Sequence, residues 1–248
     1  MTPSRYWFDL RPKLAARSHL LFLVAHSGAG PRVMGPLAQR LPPGWAAYGL
    51  SLPGRERRID EPPEWDPGTV ATSAAAEARA LASGEPNRSL PITVAGQCTG
   101  AWLAHAILAS AGPEFQHRCD RLFVFSQIPW HAPRPDITLP ETSDAMWARL
   151  SETGNTPPEV LVDEEFRDAL EPVIRADYRA AELFPAAIEP VRCPITVITG
   201  LRDRNFARLR PEEWAGYTTS LTVRQLDCGH LAMQELPEQS ARALAERP

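Results

Sequence analysis

The chain has 248 residues, of which 44% are hydrophobic and 23% charged, and its formal net charge at pH 7 is −4. This composition is typical of a globular protein, and the length predicts a single domain, residues 1–248, with a sizeable core. Because nucleic acids select basic surfaces, the acidic balance argues against a nucleic-acid partner.

The N-terminal segment MTPSRYWFDLRPKLAARS lacks the apolar run of a secretory signal. No segment approaches the roughly 20 apolar residues of a membrane-spanning helix. We therefore expect a cytoplasmic protein with no membrane partner, and disorder only within about the first dozen residues.

Four cysteines lie far apart along the sequence: Cys98, Cys119, Cys193 and Cys228. None belongs to a C-x-x-C pair, so the sequence predicts neither a metal site nor a disulfide framework. We expect most of these thiols to be reduced and buried.

Six apolar segments are typical of strands, because they are rich in β-branched residues and bounded by Gly, Pro or polar turns. They are HLLFLVA (19–25), AAYGLSL (46–52), LPITVAG (90–96), RLFVFSQ (121–127), CPITVITG (193–200) and SLTVRQLD (220–227). Most lack polar alternation, which indicates strands that are covered on both faces in a parallel sheet.

Helical patterns separate these strands: GPLAQRL (35–41), VATSAAAEARALAS (70–83) and WLAHAILASA (102–111). The alternation predicts an α/β fold with a mostly parallel central sheet flanked by helices. It breaks between about 137 and 187, where two apolar helical patterns follow each other. We interpret this insertion as a helical lid over the sheet edge, in which Pro172 either starts a new helix or kinks a long one.

One segment concentrates positive charge, PGRERR at 53–58, with Arg55, Arg57 and Arg58. It is either a basic patch for an acidic partner or a solvated loop whose arginines pair with its own glutamates. We favour the solvated loop, because charged side chains are mostly exposed.

The segment TVAGQCTGAW (93–102) has the layout of a nucleophile elbow, with G-x-C-x-G in place of the usual G-x-S-x-G. Gly96 and Gly100 leave room for the tight turn, which exposes residue 98 at the carboxyl edge of the sheet and at a helix N-terminus. Such positions favour the thiolate form of a cysteine. We therefore interpret Cys98 as a nucleophile rather than as a small buried core residue.

Such a nucleophile needs a base to carry its proton and an acid to orient the base, in the chain order nucleophile, acid, base. Asp203 follows the strand PITVITG, and His230 follows the last strand in the segment CGHLAM. Asp227 is an alternative acid. We prefer Asp203, because a residue three positions before the histidine would more often cap the loop.

Acyl transfer also requires two backbone N–H groups that bind the developing oxyanion. Thr99, directly after the nucleophile, supplies one, and Ser27 in VAHSGAG (24–30) is our choice for the other. The GAG within this segment is a weak dinucleotide-binding signal, since no complete G-x-G-x-x-G follows.

Taken together, several segments resemble the type II thioesterases of polyketide and nonribosomal peptide biosynthesis, which are α/β-hydrolases. They are AHSGAG, LPGRERR, GQCTGAW, EPVIRADYRAAELF, CPITVITGLRD and CGH, and the resemblance runs from about residue 19 to 235. It implies a mobile lid and an acyl thioester substrate, held on the phosphopantetheine arm of an acyl or peptidyl carrier protein. It implies no cofactor of the enzyme's own. Applied residue by residue, the resemblance makes Cys98 the nucleophile, Asp203 the acid and His230 the base. It makes Ser27 and Thr99 the oxyanion donors.

The chain departs from the family's usual G-H-S-x-G at two positions. Gln97 replaces the histidine, which we expect to alter the wall beside the nucleophile, and Cys98 replaces the serine. Because an acyl-cysteine is itself a thioester, it stays reactive toward another thiol, an amine or a hydroxyl.

Three alternatives to a hydrolytic type II thioesterase remain. The first is a carrier-to-carrier acyltransferase or a cyclising release enzyme with the same Cys-His-Asp triad, and the second is a noncatalytic acyl-carrier binding protein. The third, a dienelactone-type hydrolase, does not account for PGRERR and IRADY. Cys228, two residues before His230, invites a redox lock with Cys98 or a Cys/His metal site, but we interpret it as a small residue in a tight loop.

Overall fold

The computed structural model describes residues 4–129, 138–153, 156, 158–184, 189–204 and 210–246. Its centre is one sheet with the strand order β1-β3-β2-β4-β5-β6-β7. The strands are β1 Trp7–Asp9, β2 His19–Val24, β3 Trp45–Leu50, β4 Ile92–Gln97, β5 Cys119–Phe125, β6 Ile195–Gly200 and β7 Leu221–Leu226. Only β1 runs antiparallel to its neighbour.

All six predicted strands are present, and their ends differ from the prediction by at most two residues. The seventh, β1, lies in the segment where we expected disorder. It is too short for an alternating pattern to reveal, but Trp7 is buried and donates a hydrogen bond from Nε1 to the carbonyl of Ala74 at 2.9 Å. This contact ties the N-terminal segment to the core.

The described helices are α1 Gly35–Gln39, α2 Pro67–Ser83, α3 Thr99–Ser110, α4 Gly112–His117, α5 Ser143–Thr153, α6 Pro158–Val162, α7 Glu164–Glu182, α8 Ala232–Glu235 and α9 Pro237–Ala245. Along β2, Leu20 and Phe22 face a core shared with α2 and α3, whereas Leu21 and Leu23 face a core shared with α1 and α9. The sheet is therefore covered on both faces, as the lack of alternation predicted.

The insertion that we predict to be a lid, called the lid below, contains three described helices, α5, α6 and α7, rather than two. Its predicted ends, at about 137 and 187, lie outside the described residues. Met146, Trp147 and Leu150 pack within the lid, while Pro172 lies inside α7. Of the described helices, none is both long enough and apolar enough to cross a membrane.

Candidate active site

Cys98 occupies the sharp turn between β4 and α3, with φ 54° and ψ −135°. This left-handed conformation is unfavourable for a residue with a side chain. Two glycines allow the turn: a side chain at Gly96 would collide with the backbone of Gly100, and one at Gly100 would collide with the carbonyl of Ala25. The backbone therefore holds the partly exposed Cys98 thiol at the carboxyl edge of the sheet.

Asp203 and His230 lie in the loops that follow β6 and β7. The carboxylate Oδ2 of Asp203 is 2.7 Å from Nδ1 of His230, and both residues are buried. The two loops are joined by the amide of Arg202, which donates to the carbonyl of Cys228 at 2.8 Å. The Asp203 carboxylate keeps the proton of a neutral imidazole on Nδ1, so that Nε2 is the atom able to exchange a proton.

The environment of His230 favours its protonated form. Burial by itself would lower its pKa, but the charge and hydrogen-bonding capacity of Cys98, together with Asp203, raise the pKa to about 10. Nε2 is buried and makes no hydrogen bond of ordinary geometry within the described part of the chain. With Asp203 and Cys98 as its neighbours, His230 is thus favoured as an imidazolium.

The alternative acid, Asp227, lies at the surface. Its side chain is 77% exposed, and its Oδ1 is 3.5 Å from Nε of Arg202. The structure therefore brings Asp203, and not Asp227, into contact with His230.

Ser27 and Thr99 lie side by side, with their hydroxyl oxygens 2.7 Å apart. Thr99 is the first residue of α3, where amides have no partner within the helix. In the part of the chain that the structure describes, neither the Ser27 nor the Thr99 amide donates a hydrogen bond. Both amides thus lack an acceptor among the described residues.

A buried ion pair joins the segment after β3 to the lid. Arg55 donates from both terminal nitrogens to the carboxylate of Asp177 on α7, at 2.7 and 2.6 Å. The same carboxylate accepts hydrogen bonds from the amide of Gly28, at 2.7 Å, and from Nε1 of Trp65, at 2.8 Å. Asp177 is only 3% exposed.

The interpretation of PGRERR as a solvated loop is therefore wrong for Arg55 and Arg58, which are both buried. Arg58 pairs with Glu61, just beyond the segment, rather than with a glutamate inside it, and its hydrogen bonds lower the pKa of the Glu61 carboxyl to about 2. Arg57 remains exposed. Because the carboxylate that neutralises Arg55 lies 122 residues away, the local charge pattern could not reveal the pair.

A cavity of about 10 Å³ lies between the lid and the elbow. It is lined by Val24, Ala25, His26, Ser27, Trp65, Thr99, Gly100, Leu103, Asp177 and Phe184. That volume holds about one water molecule.

Gln97 does not form the wall beside the nucleophile that we expected. Its side chain is fully buried and points toward α8, where Oε1 accepts from the amide of Met233 at 2.8 Å and Nε2 donates to Gln234. The residue before Cys98 is thus bonded to the short helix that follows His230.

His26 and Asp177 also line the cavity, although nothing in their sequence positions predicts a role for either residue. Burial, followed by the charge of His230, lowers the pKa of His26 to about 4, so His26 is neutral at physiological pH. Both residues lie in segments that carry the resemblance, AHSGAG and EPVIRADYRAAELF. That is the only signal the sequence offered for them.

The remaining cysteines, Cys119, Cys193 and Cys228, are buried and unbridged. Burial raises the pKa of the Cys228 thiol to about 11, consistent with a packing residue. Among the described residues, no group of three or more His, Cys, Asp or Glu is arranged to hold a metal ion.

The chain matches the thioesterase domain family over residues 19–247. It is 31% identical over 213 residues to the AMB antimetabolite synthetase AmbE of Pseudomonas aeruginosa, covering 84% of this chain and 10% of that protein. It is 26% identical to a probable cadicidin biosynthesis thioesterase of Streptomyces griseus, covering 85% of this chain and 57% of that protein. The matched region is thus about a tenth of the synthetase and little more than half of the thioesterase.

Among solved structures, the type II thioesterase BorB from the borrelidin biosynthetic cluster superposes with a TM-score of 0.76 at 24% identity, covering 99% of this chain and 98% of that chain. This likeness concerns the fold. Since the family match spans nearly the whole chain and the sheet is mostly parallel and flanked by helices, this protein belongs to the thioesterase family and has the α/β-hydrolase fold.

Proposed function

We propose that this protein is a cysteine-dependent type II thioesterase, which hydrolyses acyl groups from phosphopantetheinyl carrier proteins in polyketide or nonribosomal peptide biosynthesis. The observation that carries the proposal is the convergence of Cys98, the His230–Asp203 pair and two free amides at one edge of the sheet. Relatives named as thioesterases of biosynthetic pathways support the substrate class. The enzyme needs no cofactor of its own in this scheme.

In the first half of the reaction, the Cys98 thiolate attacks the carbonyl carbon of the carrier-bound thioester. The amides of Ser27 and Thr99 donate to the oxygen that becomes negatively charged. When the intermediate collapses, the bond to the phosphopantetheine sulfur breaks, and the imidazolium of His230 protonates that sulfur. The products are acyl-Cys98 and a free carrier.

In the second half, the acyl group removes the negative charge of Cys98. The largest contribution that raises the pKa of His230 then disappears, while burial continues to lower it. A neutral imidazole can therefore take a proton from water as the water attacks acyl-Cys98. Cleavage of the bond to the Cys98 sulfur releases a carboxylic acid and restores the starting pair.

Transfer is the second candidate, and Cys98 itself is the observation that favours it. Exchange of one thioester for another costs little free energy, so acyl-Cys98 keeps the reactivity of the substrate. A thiol of a second carrier, an amine or a hydroxyl would then replace water in the same geometry.

The test is intact-protein mass spectrometry of the enzyme mixed with an acyl-loaded carrier and a second, unloaded phosphopantetheinyl carrier. Appearance of free acid supports hydrolysis, whereas appearance of the acyl mass on the second carrier supports transfer. Cys98→Ala should abolish both outcomes, and Cys193→Ala serves as a control for loss of a distant thiol. If the wild-type enzyme binds the carrier but never removes its acyl group, the protein is a noncatalytic binding protein.

A further inference from the structure

Two segments that contain none of the proposed catalytic residues contact each other in the folded chain. LPGRERR contributes Arg55, and EPVIRADYRAAELF contributes Asp177 from the lid helix α7. Both side chains are at most 5% exposed. The pair connects the lid to the loop that carries Ser27, so its contacts can influence the position of the Ser27 amide.

Asp177 accepts four hydrogen bonds, two at each carboxylate oxygen. Oδ1 accepts from Arg55 and Trp65, and Oδ2 accepts from Arg55 and from the amide of Gly28. The Gly28 bond, at 2.7 Å, is the contact with the loop that follows β2. Arg55 contacts the same loop, since its Nη1 lies 3.3 Å from the carbonyl of Ala29.

The bond to Gly28 fixes the peptide group directly after Ser27. Gly28 has φ +81°, and a side chain there would lie 2.9 Å from Ile174 of α7. Before this peptide, the Ser27 hydroxyl is bonded to Thr99. Ser27 is thus held from the elbow on one side and from the lid on the other, which restricts the direction of its amide.

Arg55 has an electrostatic role in this arrangement. An unpaired carboxylate near the point where an oxyanion develops would repel it, and in a buried site this repulsion is poorly screened. The bidentate contact with Arg55 balances the charge of Asp177 while leaving the acceptor for Gly28 in place.

From these contacts we infer that Asp177, balanced by Arg55, is a positioning residue that aligns the Ser27 amide for oxyanion binding only when α7 is docked on the site. The lid therefore contributes to formation of acyl-Cys98 as well as covering the cavity. This inference rests on the proposed function.

Two double variants separate positioning from stability. Arg55→Met/Asp177→Asn and Arg55→Met/Asp177→Leu both remove the ion pair with side chains of similar size, but only the Asn variant retains an acceptor for the Gly28 amide. Formation of acyl-Cys98 from an S-acyl-N-acetylcysteamine thioester is followed by rapid-quench mass spectrometry. Alkylation of Cys98 by iodoacetamide is measured in parallel, because it needs the thiolate but forms no oxyanion.

Loss of one oxyanion donor lowers kcat by about 10²–10³-fold, so we expect at least about tenfold slower acylation in the Leu variant than in the Asn variant. Alkylation should be equal in the two. Equal acylation rates, or alkylation that falls in parallel with acylation, would overturn the inference. If the wild-type enzyme itself never forms acyl-Cys98, it is the proposed function that fails.

If the Leu variant does not fold, Asp177→Glu replaces it, since the longer side chain keeps the charge but displaces the carboxylate from Gly28. Acylation about tenfold slower than in the wild type, with unchanged alkylation, supports the inference, and unchanged acylation contradicts it. Glu171→Gln is the matched control on α7, because Glu171 pairs with Arg175 and accepts from Trp147 within the lid. It should leave the acylation rate unchanged.

Discussion

Gln97 and Met233 are joined by a 2.8 Å hydrogen bond between side-chain Oε1 and backbone N–H, although 136 residues separate them. Gln97 directly precedes Cys98, and Met233 lies in the helix that directly follows the His230 loop. The contact therefore couples the position of Cys98, the proposed nucleophile, to the position of His230, its proposed base.

Replacing Gln97 tests that coupling. Gln97→Met leaves the buried Met233 amide without its acceptor, which should cost about 1–3 kcal/mol in the free energy of unfolding. We also expect slower acylation, because α8 loses its link to the elbow. Chemical denaturation and rapid-quench acylation measure the two effects.

Gln116→Met is the matched control for this variant. Gln116 is a buried glutamine whose side chain bonds the amide of Arg192 and the carbonyl of Ala109. A similar loss of stability without slower acylation is expected. If the two variants have the same acylation rate, the Gln97 contact has only a structural role.

The pKa of His230 should depend on Cys98. Because the Cys98 charge is the largest contribution that raises it to about 10, Cys98→Ala should shift the pKa downward. NMR titration of the imidazole in both proteins measures the shift, with Cys193→Ala as a control that keeps the wild-type value. A pKa that stays near 10 in Cys98→Ala would show that Cys98 does not raise it.

The choice of acid is tested by two amide substitutions. Asp203→Asn should reverse the tautomer preference of His230 and lower kcat by about 10³–10⁴-fold, by analogy with the serine protease triad. Asp227→Asn removes an exposed carboxylate that pairs with the exposed Arg202 and should have little effect. Steady-state thioester hydrolysis measures both, and reversed severities would identify Asp227 as the acid.

Acid stability should depend on His105. Burial lowers its pKa from 6.5 to about 3, so the unfolded chain takes up this proton before the folded chain does. The contribution to the free energy of unfolding is complete above pH 6.5 and is lost as the pH falls toward 3, at up to about 1.4 kcal/mol per pH unit. When the free energy of unfolding is measured by denaturation at several pH values, it should fall less steeply toward acid pH in His105→Gln than in the wild type.

The exposed His117 provides the control for this measurement. His117→Gln should keep the wild-type slope, while His105→Gln should show a lower stability overall with weaker pH dependence. Identical slopes in all three proteins would show that His105 does not remain neutral in the folded chain.

The sequence predicts the central strands well because each is a short apolar run with clear ends. The order of Cys98, Asp203 and His230 along the chain predicts which loops meet, since the carboxyl ends of parallel strands lie at one edge. The sequence does not predict β1, whose three residues are held by pairing with β3. Nor does it predict the Arg55–Asp177 pair, because a charged run in the sequence carries no information about a distant carboxylate in a lid.

The order of the strands along the chain also sets the order in which the residues of the site are synthesised and take their places. The turn at Cys98 is complete once β5 has paired with β4, because the Cys98 amide donates to the carbonyl of Phe125. His230 follows β7, which pairs with β6. During translation Cys98 is therefore synthesised well before His230. Under the proposed function, a chain truncated before β7 would carry Cys98 but not His230 and would turn over no thioester. Turnover would thus report that the last strand of the sheet is in place.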